Sequence, residues 1–230
     1  MTKIFCDIAD LNLIKKFNNK SIVKGFTTNP SLMRKAGAKD YRSYSKKILK
    51  ITNKPISFEV FADDEKKMIQ QGLKINSWGK NIYVKVPVVN SKGKFMGQVI
   101  KKLNQKKIKL NITAVYSAKQ TKQILNKINK KTKVIISIFA GRMADKGKDP
   151  IPEFKNSINL AKKYKNVEIL WASVREPYNY LQAKQLKCNI ITIPPAIIEK
   201  IENFGTSINH LTVSTVKNFL IDSKKSKFKI

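Results

Sequence analysis

Histidine, cysteine, arginine and acidic residues are all scarce in this chain of 230 residues, and each scarcity narrows the function. The single histidine, His210, cannot build a cluster of imidazole ligands and argues against a histidine-based triad, so a structural role is expected for it. Cys6 and Cys188 have no partner spacing for zinc. Two reduced, buried thiols are expected rather than a disulfide, which points to the cytoplasm. No apolar run approaches the roughly 18 residues of a membrane span. The start, Met1 to Asp7, lacks the apolar core and small-residue cleavage site of a signal peptide. No Gly-x-Gly-x-x-Gly follows any candidate strand, which weakens the case for a doubly wound dinucleotide-binding sheet.

The 15 acidic residues face 47 basic ones, a formal net charge of +32 that raises the question of nucleic acid. All but four of the basic residues are lysines, the exceptions being Arg34, Arg42, Arg142 and Arg175, and the chain is also rich in Ile and Asn. That joint bias has the form of a proteome tendency. The lysines come in pairs along nearly every helical segment, such as Lys15-Lys16, Lys66-Lys67 and Lys162-Lys163, rather than in one patch. A diffuse positive field attracts anionic ligands and binds polyanions weakly. A basic nucleic-acid-binding protein is therefore the remote alternative, and no specific nucleic acid and no membrane is expected as a partner.

Short apolar runs alternate with longer amphipathic ones, with no Pro/Gly/Ser-rich linker between them. Strands are expected at 3–8, 21–26, 55–61, 81–87, 108–112, 133–138, 167–172 and 189–193. Helical patterns such as 64–75, 94–105, 117–130, 152–164 and 177–186 fall between them. Strands separated by helices argue for βαβ units and a parallel sheet, and eight repeats in about 200 residues suggest closure into an α/β (β/α)8 TIM barrel. A further helix from Thr212 to Asp222, apolar at Val213, Val216, Phe219 and Leu220, lies outside that count. Residues 1–222 are thus expected to form a single catalytic domain including the C-terminal helix, followed by a lysine-rich tail at 223–230.

The most informative residue is Lys85, set in Asn81-Ile82-Tyr83-Val84-Lys85-Val86-Pro87-Val88-Val89, a run that otherwise reads as a buried strand. An ammonium buried there loses hydration, which favours the nucleophilic free amine. The alternative is an edge strand, or a side chain that carries its charge to water along an apolar stem. Barrel enzymes place their chemistry at the C-terminal ends of the strands. Each of the first seven candidate strands ends in polar groups: Asp7, Asn29, Glu59, Lys85, Asn111 with Thr113, Ser137, and Ser173 with Arg175. Any one of them could cap a helix or sit in a turn. Seven converging on one rim describe an active site. A desolvated lysine among carboxylates and hydroxyls is equipped to form a Schiff base with a carbonyl substrate, with Asp7 and Glu59 moving protons. Arg142 and Arg175, two of only four arginines, follow strands six and seven, where planar recognition of a phosphate would be useful.

These residues resemble the transaldolase family, in particular its short members, which also include fructose-6-phosphate aldolases. Gly25-Phe26-Thr27-Thr28-Asn29-Pro30-Ser31 resembles the family signature, and Val84-Lys85-Val86-Pro87 resembles its Schiff-base lysine motif. Asn111-Ile112-Thr113, Ser137-Ile138-Phe139-Ala140-Gly141-Arg142 and Ala172-Ser173-Val174-Arg175 resemble the segments after strands five, six and seven. The resemblance implies that Lys85 forms the imine with a ketose phosphate and that Asp7 handles the proton of carbon–carbon cleavage and formation. It implies that Glu59 and Thr113 hold a proton-relaying water. Asn29, Asn111, Ser137 and Phe139 then belong to the substrate site, while Arg142, Ser173 and Arg175 take the phosphate. No metal or other cofactor is implied.

Glu59 and Phe139 follow the transaldolase pattern, where the aldolase branch carries Gln and Tyr. Transfer of a dihydroxyacetone unit between sugar phosphates in the pentose phosphate pathway is therefore favoured, with aldol cleavage of fructose 6-phosphate or a related ketose as the alternative. The run Ala114-Val115-Tyr116-Ser117 is similar to the aldolase branch, and Glu176-Pro177 after Arg175 departs from the family pattern in a way that bears on acceptor specificity. The resemblance also implies a homo-oligomer, a pentamer or decamer, with the C-terminal helix packed on a neighbouring copy.

Overall fold

The computed structural model describes residues 1–227. Its strands are β1 (Lys3–Asp7), β2 (Val23–Thr27), β3 (Ile56–Glu59), β4 (Ile82–Pro87), β5 (Leu110–Val115), β6 (Val134–Phe139), β7 (Val167–Ala172) and β8 (Ile190–Ile193). The helices are α1 (Leu11–Asn18), α2 (Pro30–Lys35), α3 (Tyr41–Ile51), α4 (Glu65–Asn76), α5 (Gly97–Gln105), α6 (Ala118–Leu125), α7 (Ala140–Ala144), α8 (Ile151–Ala161), α9 (Tyr178–Gln185), α10 (Pro195–Glu202) and α11 (Ile208–Ser226). The eight strands are all parallel and close in sequence order, β8 pairing with β1 through Lys3–Ile190 and Cys6–Ile193. The expected (β/α)8 barrel is the observed fold.

Two apolar layers hold it. The larger lies between the strands and the helices and includes Ile14, Phe17, Ile48, Met68, Leu103 and Phe154. The smaller, Phe5, Tyr83, Ile135, Leu170, Ala172 and Ile190, fills the barrel interior. Side chains two apart on a strand share a face. The strand positions that bury Phe5, Tyr83, Ile135 and Ile190 in the lower interior therefore present Asp7, Lys85, Ser137 and Thr192 one step nearer the C-terminal mouth. Gly25 belongs to the same packing. A Cβ there would lie 2.6 Å from the Phe5 ring, so the first glycine of the Gly25–Ser31 segment makes room for an interior aromatic.

Side chains close most of the helix starts: Asp10, Asn29, Asp40, Asp64 and Ser207 each accept the backbone N–H of the third residue on, and Ser117 with Gln120 forms a capping box. Element boundaries moved where turn chemistry overrode periodicity. α5 begins at Gly97 instead of residue 94, because residues 90–96 form a tight return with Gly93 at positive φ. α6 stops at Leu125, well before residue 130, where Asn129 caps the loop by accepting the N–H groups of Lys131 and Thr132. β5 runs past Ile112 to Val115 through a register shift with Ala114 at φ 57°.

The C-terminal helix is longer than expected, Ile208–Ser226, so the start of the anticipated lysine-rich tail is helical; residues 228–230 lie outside the described residues. None of its residues is buried. Ile208 and Phe219 are 83% and 68% exposed, and Leu211, Val216 and Leu220 share that exposure. Among the described residues, no helix is long and apolar enough to cross a membrane.

Candidate active site

Lys85 is 7% exposed and sits on β4, between β3 and β5 in a closed sheet without edges. That excludes both the edge-strand and the solvent-reaching alternatives. Register brings its partners alongside: Glu59 on β3 and Asn111 on β5 are its direct neighbours, and Thr113 pairs with Pro87. The Lys85 Nζ lies 3.1 Å from Glu59 Oε2 and donates to the Thr28 carbonyl at 3.0 Å. The lysine nitrogen thus lies between a carboxyl group and a backbone carbonyl. Glu59 is fixed from behind, its backbone N–H donating to the Tyr41 hydroxyl at 2.9 Å.

A cavity of about 210 Å³ opens above Lys85 at the C-terminal mouth of the barrel. Every expected site residue lines it except Glu59 and Asn111. Glu59 reaches the site through its ion pair. Asn111 is fully buried beneath the cavity, donating to Ser57 Oγ at 3.0 Å and accepting from Ser137 Oγ at 2.7 Å. This network holds Ser137 in place. Asn29 both caps α2 and lines the cavity, so the capping and the site roles are not exclusive. Thr113 Oγ1 is buried without a hydrogen-bond partner among the described residues, a donor left for whatever enters.

Asp7 does not cap a helix; Asp10 does. The Asp7 carboxyl accepts from Thr27 Oγ1 at 2.6 Å. Burial raises it above the usual carboxylate range, opposed by the nearby Lys85 charge and by the Thr27 hydrogen bond. A carboxyl held between these opposing influences suits a group that both takes up and returns a proton.

Arg142, Ser173 and Arg175 also line the cavity. Ser173 has φ 65°, and Gly141 lets its carbonyl come close: a Cβ on Gly141 would lie 1.7 Å from Ser173 O. The Arg142 guanidinium lies over the Phe139 ring, 5.6 Å from its centroid. Arg175 is already engaged. Its Nε donates to both Asp145 oxygens at 3.0 and 3.2 Å, and its Nη2 to Oδ2 at 2.5 Å, which raises the guanidinium further and holds Asp145 below the usual carboxylate range. This salt bridge occupies one edge of the Arg175 guanidinium and leaves Nη1 outside it.

Sequence reasoning missed Thr192, Ser57, Tyr41 and Asp145. Thr192 on β8 lines the cavity, and its signal was legible: a polar residue in Ile190-Ile191-Thr192-Ile193, as Lys85 is in its own run. Cys6 and Cys188 are free and buried as expected, the burial pushing the Cys188 thiol up to about 12. His210 sits on the exposed α11 and does not line the cavity.

The fold and site together define a parallel (β/α)8 barrel with a lysine–carboxylate pair beneath a polar pocket at the mouth of its strands. The chain belongs to the Transaldolase/Fructose-6-phosphate aldolase family, whose model matches residues 4–230. It is 34% identical to a "Probable transaldolase" of Nitrosopumilus maritimus (strain SCM1) over 98% of this chain and 96% of the relative. A "Probable transaldolase" of Thermoanaerobacter sp. (strain X514) is 30% identical over 99% of this chain and 100% of its own. Among solved structures, a protein ascribed to the dihydrodipicolinate synthase family from Coccidioides immitis superposes with a TM-score of 0.58 at 11% identity, covering 83% of this chain and 66% of that one. That likeness shows the fold alone.

Proposed function

We propose that the protein is a class I transaldolase, moving a dihydroxyacetone unit from a ketose phosphate to an aldose phosphate through an imine on Lys85. The observation that carries this reading is the interior Lys85, paired with Glu59, lining a cavity that Arg142 and Arg175 also line. Glu59 accepts the ammonium proton, freeing the Lys85 amine to attack the C2 carbonyl of the donor; loss of water gives the iminium. Asp7, ionised, takes the proton from the C4 hydroxyl. The C3–C4 bond then breaks, its electron pair moves into the iminium to leave an enamine, and an aldose phosphate departs. The enamine adds to the acceptor aldehyde, Asp7 returns the proton to the new hydroxyl, and water releases the product ketose. The unpartnered Thr113 hydroxyl suits the site of that water. Arg142, Ser173 and the free edge of Arg175 suit the phosphate.

A coupled assay tests the reaction. Turnover of fructose 6-phosphate is expected to require erythrose 4-phosphate as acceptor. Steady release of free dihydroxyacetone without an acceptor would favour the second reading, a sugar-phosphate aldolase. One observation supports that reading: Tyr116, in the segment similar to the aldolase branch, packs against Phe139 with ring centroids 5.9 Å apart, which brings a phenol close to the position that branch fills with Tyr.

A homo-oligomer is also proposed, with the apolar side of α11 covered by a neighbouring copy. A surface helix of a globular protein buries its apolar stripe, and this one buries nothing. Sedimentation at micromolar concentration is expected to give a multimer, and a monomer there would overturn the proposal.

A further inference from the structure

Asp7 lies on β1, which is flanked by β2 on one side and β8 on the other. Each neighbour contributes one threonine to the interior beside it. Thr27 is the direct cross-strand partner of Asp7 on β2, and Thr192 is the partner of Phe5, two residues before Asp7 on the same face, on β8. The two hydroxyls meet: Thr27 Oγ1 and Thr192 Oγ1 are 2.5 Å apart, and Thr27 Oγ1 is 2.6 Å from Asp7 Oδ1. Both threonines are nearly inaccessible, at 3% and 6% exposure, while Thr192 still contributes to the cavity wall.

A hydroxyl has one hydrogen to give. An ionised Asp7 can only accept, so Thr27 gives its hydrogen to Oδ1 and must accept from Thr192. The chain has one direction, Thr192 to Thr27 to Asp7, and its end at Thr192 keeps lone pairs for a group in the cavity. Oδ1 is thereby held by the protein, and Oδ2 is the oxygen left for a proton from substrate.

We propose that Thr192 is a positioning residue for the proton transfer at Asp7, acting through Thr27 to fix which carboxyl oxygen works on the substrate and to stabilise its ionised form. The inference rests on the transaldolase reading, in which Asp7 must be ionised to take the hydroxyl proton. Of the charged and titratable groups around Asp7, Lys85 faces it from β4 and Cys6 sits beside it on β1; Arg142 and Arg175 line the same cavity. β2 and β8 present the uncharged Thr27 and Thr192. The hydroxyl chain is therefore the support that the flanking strands give to the carboxylate, and hydrogen bonds in series polarise one another.

Thr192→Val keeps the shape of the side chain and removes the donor. It is expected to lower kcat/KM at neutral pH by about 3- to 10-fold, the range for one hydrogen bond lost. The acid limb of the kcat/KM profile should move to higher pH by about half a unit or more, because the carboxylate has lost support. Thr192→Ser restores the hydroxyl and should recover both rate and profile. Thr27→Val should cost more, and adding Thr192→Val to it should cost nothing further, since a chain broken at its middle link no longer depends on its end. Borohydride trapping of the donor on Lys85 is the control. If wild type traps no adduct, the transaldolase reading fails. If every form traps normally but the Thr192→Val profile coincides with wild type, if Thr192→Ser behaves like Thr192→Val, or if the two valine substitutions add, the relay is overturned and the transaldolase reading stands.

Discussion

Lys85→Ala and Lys85→Arg should each reduce transferase activity by about 10⁴-fold or more, the scale seen when the nucleophile of a covalent mechanism is removed. The arginine variant separates charge from chemistry. A guanidinium can keep the ion pair with Glu59 but cannot form an imine, so retained folding with lost activity would assign the role to the amine itself. Sodium borohydride added with fructose 6-phosphate should convert the iminium to a stable secondary amine on one residue. Peptide mass mapping must find that adduct on Lys85 and not on any of the surface lysines that dominate this chain. An unmodified Lys85, or an adduct scattered over several lysines, would refute the Schiff-base assignment. The alanine variant also leaves Glu59 without its partner, and an unpaired carboxylate in a largely buried position is destabilising. A thermal melt of both variants keeps loss of fold distinct from loss of chemistry.

Glu59→Gln should slow turnover by roughly 10²-fold or more, the usual contribution of a positioned acid–base group, while leaving binding of ketose phosphate largely intact. Glutamine preserves the size, and the backbone hydrogen bond to Tyr41 does not depend on the side chain. What disappears is the oxygen that takes the proton from the Lys85 ammonium 3.1 Å away and the counter-charge that keeps that ammonium in place. Residual activity should shift toward aldol cleavage, since glutamine is the residue the aldolase branch carries. Measurement of kcat, KM and acceptor dependence decides it. A wild-type transferase rate in the glutamine variant would remove Glu59 from the proton path and leave Phe139 as the remaining support for transfer over cleavage.

The barrel was legible because its causes are local. Strands buried on both faces must be near-continuous apolar runs, and the sequence carries eight of them with helical patterns between. Lys85 stood out for the same reason, as a charge in a run with no other. Element ends were less legible. A turn built by Gly93, a capping asparagine at Asn129 and a shifted register at Ala114 act through backbone geometry that hydrophobic period does not encode.

Residue type and spacing alone determined the strand–helix alternation, the polar ends of seven strands, and the lysine on which the chemistry is proposed to turn. Only the tertiary structure decided which of those polar groups touch. Closure of the sheet brought β8 beside β1, and with it Thr192 onto Thr27 and Asp7, residues far apart in the chain. Register set Glu59 directly on Lys85, sank Asn111 below the cavity, and paired Arg175 with Asp145 along one edge. Hydrogen bonds and ion pairs depend on separations of about 3 Å, and a sequence pattern fixes the face of a strand but not the distance across it.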